Sequence, residues 1–121
     1  MTVHEFGFAE GVLAAVRKRA DGRPVRLVRL RAGVRHGLDQ PTMAQAFRLI
    51  AEGTEAQDAE LDLVPVPARL DCRECLGTAQ VYDTLARCPY CAGERVDVVG
   101  GDDLVLESLT YRAETYRVEG D

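Results

Sequence analysis

Residues 72–91 read CRECLGTAQVYDTLARCPYC and hold all four cysteines of the chain. They form two C-x-x-C pairs, Cys72 with Cys75 and Cys88 with Cys91, separated by twelve residues. The two-residue gap inside each pair lets a tight turn bring both sulfurs onto one ion. The intervening loop then folds the second pair back to complete a tetrahedron of thiolates at roughly 2.3 Å from zinc. Two disulfides would suit a short, cysteine-dense secreted chain with a signal peptide, and neither property is read here. The stretch is therefore read as a metal site.

Four thiolates close the coordination sphere and leave no position for water or substrate, so the site is expected to be structural rather than catalytic. Tetrahedral sulfur ligation suits zinc or iron. Zinc is favoured, and iron stays open: Cys88-Pro89-Tyr90-Cys91-Ala92-Gly93 resembles one knuckle of a rubredoxin, which would make the chain an electron carrier.

Working outward, 121 residues with 46% apolar content allow one small globular domain beside this ribbon, with a core that is thin for the length. A structural zinc would then supply on the order of 10 kcal/mol to the local fold. No apolar run approaches a membrane span, and the first residues lack the basic flank and apolar stretch of a signal peptide. A reducing, cytoplasmic setting without membrane association is the expectation.

The net charge of −5 hides an asymmetry. Residues 1–50 carry nine Arg or Lys against four Asp or Glu, whereas residues 51–121 carry six against sixteen. The basic run from Arg17 to Arg35 would steer an acidic partner or form a solvated face. Within residues 67–97 four basic side chains meet five acidic ones, and Tyr82 and Tyr90 are the only rings. That balance argues against nucleic-acid binding by the ribbon.

Around the cysteines, the pattern predicts helix, strand, helix, strand, ribbon, strand. Ala9, Val12, Leu13 and Val16 recur at helical spacing from about Glu5 to Ala20, before Asp21-Gly22 and Pro24 stop the helix. Pro24 to Ala32 reads as a strand with Val28, Leu30 and Ala32 on one face and Arg29 and Arg31 on the other. Pro41 opens a second helix whose stripe is Met43, Ala46, Phe47 and Ile50. Leu61 to Val66, punctuated by Pro65 and Pro67, fits an edge strand, and Leu104 to Tyr111 a third strand after the Gly100-Gly101 turn. The fold class is thus α+β, a small three-stranded sheet with two helices and an inserted four-cysteine zinc ribbon. Residues 1–66 and 98–121 would make one domain and 67–97 the other. The polar tail from Ala113 is expected to fray.

Enzymatic chemistry has little to stand on. Ser108 is the only serine and falls in a predicted strand, all cysteines are engaged by metal, and no phosphate-binding glycine loop is present. His4-Glu5 begins like a zincin motif, but Phe8 stands where the second His belongs. His4 has another use. If Met1 is removed, the start becomes Thr2-Val3-His4, and a terminal amine, two deprotonated amides and an imidazole form a planar four-nitrogen chelate for Ni(II) or Cu(II).

His-Glu near the start, the helix containing AEGVL, the second helix AFRLIAEGT, the ribbon and the closing Gly-Asp-Asp-Leu strand together resemble the HypA/HybF family of hydrogenase-maturation nickel metallochaperones. The likeness covers nearly the whole chain. It implies a non-enzymatic carrier with nickel on His4, Glu5 as an acidic neighbour, and zinc on Cys72, Cys75, Cys88 and Cys91. It also implies a maturation GTPase and the hydrogenase large-subunit precursor as partners, with the protein a monomer or weak dimer. Asp39 falls where some members carry an acidic residue near nickel; its plain reading is a helix cap. Family members usually begin Met-His-Glu, and here Thr2 and Val3 intervene. Outside this family, a zinc-ribbon adaptor for protein or nucleic acid is the remaining alternative to the iron carrier.

Overall fold

The computed structural model describes residues 3–83 and 87–112. The tail from Ala113 and the processing of Met1 lie outside the described residues. The first helix, α1, runs over Val3–Ala20, so it starts two residues earlier than its apolar stripe indicates and takes His4 into its first turn. Ala9, Val12, Val16 and Ala20 are buried along one side. Strand β1 (Val25–Gly33) follows, and a single turn of 3-10 helix, η1 (Val34–His36), leads to α2 (Gln40–Ile50). Asp39 is the N-cap of α2: its carboxylate accepts the Thr42 backbone N–H at 3.1 Å and the Thr42 hydroxyl at 2.7 Å. The plain reading of Asp39 is the structural one.

Strand β2 (Glu60–Val66) pairs in parallel with β1, and β6 (Leu104–Tyr111) pairs with β1 on its other side in antiparallel fashion. The order β2-β1-β6 puts β2 at an edge, as its Pro65 favours. Both helices lie on one face of this sheet, where Val28, Leu30, Met43, Ala46, Phe47 and Leu61 close a single core. Arg29 and Arg31 occupy the exposed face, and Arg29 pairs with Asp62 of the neighbouring strand at 3.1 Å.

Two register shifts reconcile β1 and β6 with this core. Val25 and Val28 are both fully buried although three residues apart, a spacing that sends side chains to opposite faces of a regular strand. The shift between Val25 and Leu27 absorbs the extra residue. The shift between Arg29 and Leu30 does the same for Leu106 and Leu109 of β6, which both pack on the core.

The cysteines belong to a second sheet. Strand β3 (Ala68–Cys72), separated from β2 by Pro67 alone, is flanked by β4 (Thr78–Val81) and β5 (Val96–Val99), both antiparallel to it. Its small core is Leu70 with Cys72 and Cys88, edged by Val81 and Val96. Residues 100–103 then return to β6.

That return passes very close to η1. The Gly33 N–H donates to the Asp103 carbonyl at 2.7 Å and the Arg35 N–H to that of Gly101 at 2.8 Å. A methyl group on Gly33 would collide with the Gly101 carbonyl, so the backbones meet where no side chain fits.

Candidate metal centre

Each C-x-x-C pair forms a knuckle, and the two are built alike. The Cys72 N–H closes the first on the Gly77 carbonyl at 3.0 Å, and the Cys88 N–H closes the second on that of Gly93 at 2.9 Å. Between cysteine and glycine stand Leu76 and Ala92, both left-handed at φ 64° and 62°. Gly77 and Gly93 complete the turns; a Cβ would press on the Tyr90 ring at the first and on the movable Glu74 carboxylate at the second. The hexapeptide C-x-x-C-x-G thus occurs twice, a signal in the sequence beyond the spacing of the cysteines.

Backbone donors converge on the sulfurs. The N–H groups of Glu74 and Cys75 point to Cys72 Sγ at 3.3 and 3.4 Å, that of Tyr90 to Cys88 Sγ at 3.4 Å, and that of Gly93 to Cys91 Sγ at 3.4 Å. All four sulfurs lie within 4.8 Å of one another, with Cys72 and Cys91 at 3.7 Å and Cys75 and Cys88 at 3.6 Å. A tetrahedron with zinc–sulfur bonds of about 2.3 Å has edges of about 3.8 Å, so the sulfur set fits that ion. Cys72 and Cys88 are buried and Cys75 and Cys91 exposed, which gives the centre an inner and an outer side.

Four thiols this close cannot all ionise on their own. The Cys75 and Glu74 backbone donors bring Cys72 down to about 7. At Cys91 the Gly93 N–H pulls the other way, but burial and the surrounding thiols push it up to about 12. Cys75 is also raised: the Gly77 N–H favours its thiolate, and Cys88, burial and Cys72 outweigh it. A divalent cation at the centre reverses this by stabilising all four thiolates at once.

His4 lies elsewhere, exposed at the head of α1. Its Nε2 is 3.3 Å from the carbonyl oxygen of His36, and its ring meets Phe8 edge-on with centroids 4.8 Å apart. Glu5, half-buried, follows it in the same turn. Asp39 is not gathered to them; its carboxylate serves α2. Among the described residues the four cysteines form the one cluster of three or more His, Cys, Asp or Glu groups with metal-holding proximity. His36 was not singled out by the sequence, where 32 residues separate it from His4 and no motif links them.

The model of the family described as hydrogenase/urease nickel incorporation, metallochaperone, hypA matches residues 3–111. The chain belongs to the HypA family. Hydrogenase maturation factor HypA of Rhodobacter capsulatus is 31% identical over 88% of this chain and 97% of its own length. Its counterpart from Cereibacter sphaeroides is 29% identical with the same coverage, and hydrogenase maturation factor HybF of Escherichia coli K12 is 27% identical. The fold is also that of the solution structure of the Ni metallochaperone HypA from Helicobacter pylori, with a TM-score of 0.58, 24% identity, and coverage of 91% of this chain and 98% of that one. The family description is of a metallochaperone, a maturation factor rather than an enzyme. Among the described residues no helix is long and apolar enough to cross a membrane.

Proposed function

We propose that this HypA-family chain binds Ni(II) through His4, with backbone nitrogen beside it and Glu5 as acidic neighbour, and delivers the ion to a hydrogenase large-subunit precursor together with a maturation GTPase. Cys72, Cys75, Cys88 and Cys91 hold a structural zinc in a ribbon that forms a second domain. The observation that carries this reading is the family match over residues 3–111 in a chain that keeps His-Glu at the head of α1 and a closed four-cysteine centre apart from it. A closed thiolate site suits a resident ion, whereas an exposed imidazole at a helix start suits an ion that must leave.

Metal analysis of the purified protein tests the ribbon. One zinc per chain is expected, and visible iron–thiolate absorption would favour the electron-carrier alternative. Calorimetric titration with Ni(II) tests the rest: His4→Ala should lose most nickel affinity while zinc content stays unchanged. Equal affinity in both proteins would remove the central residue of the proposal.

A further inference from the structure

The contact between His4 and η1 has a chemical direction. A carbonyl oxygen only accepts, so the 3.3 Å contact requires His4 Nε2 to carry the proton. The imidazole is then the tautomer whose Nδ1 keeps its lone pair. Nδ1 is also the nitrogen that closes a six-membered chelate ring with the amide nitrogen of the same residue, whereas Nε2 would need a larger ring. A histidine that ligates a metal characteristically donates its other ring N–H to a carbonyl or carboxylate, which fixes both tautomer and ring orientation.

The acceptor is itself held in place. The His36 ring lies against Phe8, with centroids 5.2 Å apart at 70°, so Phe8 touches both imidazoles. His36 Nε2 donates to the Asp102 carbonyl at 2.7 Å, and the N–H of the preceding residue, Arg35, donates to Gly101. The carbonyl facing His4 therefore belongs to a turn fastened to the segment that returns from the ribbon.

We infer that His36 is a positioning residue for nickel: anchored by its ring to Asp102, it presents its carbonyl to His4 Nε2 and so presents Nδ1 as the ligand nitrogen. This rests on the proposal that His4 binds nickel, and it adds a residue outside the His-Glu motif. It also makes the orientation of the nickel ligand depend on the chain leaving the zinc ribbon.

The test titrates Ni(II) into the zinc-loaded full chain and into its His36→Ala, His36→Gln, Phe8→Leu and His4→Ala variants, with zinc content and helical circular dichroism checked for each. His36→Ala should bind about tenfold more weakly, the low end of the cost of removing such a support. His36→Gln should recover most of the loss, because the glutamine amide places an N–H donor where Nε2 stood. Phe8→Leu should also weaken binding. In the diamagnetic nickel complex, the 15N shift of His4 Nδ1 should move while Nε2 keeps its proton. If His36→Ala does not fold, this spectrum of the wild type and the Phe8 variant decide. Wild-type affinity in folded His36→Ala with the His4→Ala loss intact would overturn the positioning role and leave the proposed function standing, as would nickel on Nε2. Wild-type affinity in His4→Ala would overturn both.

Discussion

Glu74 reaches from the first cysteine knuckle to the residue that leads from the second into β5, where its carboxylate accepts the Arg95 backbone N–H at 3.3 Å. Arg73 crosses the same way, with paired hydrogen bonds of 2.9 and 2.7 Å to Asp97. These links are exposed and individually weak. With the β3–β5 pairing they join the knuckles at their base, and a metal on the four sulfurs would tie their tips.

Zinc uptake should therefore release protons, because Cys91 at about 12 and Cys75, raised from its ordinary value, are thiols near neutrality and thiolates in the complex. Calorimetry of zinc binding at pH 7.5 in buffers of different ionisation enthalpy should report about two or more protons released per ion, with affinity rising as pH rises. Release of fewer than one proton would contradict the crowding of these thiols. Cys72→Ala should lose zinc and the β3–β5 pairing while α1 and α2 persist by NMR.

Ala92 pays for its left-handed conformation, which glycine adopts freely. Ala92→Gly should stabilise the zinc-loaded ribbon by about 0.5–1 kcal/mol, the reverse of placing alanine at a positive φ. Thermal unfolding of the holo protein would show it, and a fall in stability would mean that the methyl group packs better than its exposure implies.

Gly33→Ala should act in the opposite sense. Its new methyl group meets the Gly101 carbonyl, a backbone atom that cannot swing aside, and overpacking of this kind costs about 1–3 kcal/mol. Faster hydrogen exchange at the Gly33 and Arg35 amides, whose acceptors are Asp103 and Gly101, would localise the damage.

The cap at Asp39 makes α2 sensitive to acid. Hydrogen bonds from the Thr42 hydroxyl and backbone N–H hold its carboxyl below the usual aspartate range. A depressed native pKa gives stability that is complete above the unfolded value of about 3.9 and is lost as pH falls through the native value. Asp39→Asn should soften this acid dependence. Asp39→Ala should lower the melting temperature at pH 7 by several degrees.

Much of the fold was legible because its signals are local. Ala9, Val12 and Val16 announce α1, and the alternation of Val28, Leu30 and Ala32 with Arg29 and Arg31 announces β1 and its inner face. The edge position of β2 followed from Pro65. The ribbon strands did not show: Thr78–Val81 and Val96–Val99 have four residues each, too few for a period of two to stand out. The bulges between β1 and β6 were hidden too, since only the pairing reveals why Leu106 and Leu109 share a face. The cysteine spacing sufficed to bring the four sulfurs together, whereas the contact of His4 with His36 depends on how η1 folds back and has no counterpart along the chain.

The strand that completes the first sheet, β6, follows the cysteines in the chain although its partner β1 precedes them. During synthesis, which proceeds from the N-terminus, β1 must wait with an open edge until the whole metal-binding segment has emerged. The ribbon can thus collect its ion before the other half of the protein is finished. If zinc fills the centre as proposed, a chain without it would hold β6 less firmly beside β1, and uncovered strand edges pair with one another. On the function proposed above, scarcity of zinc would then be felt as aggregation of a nickel carrier.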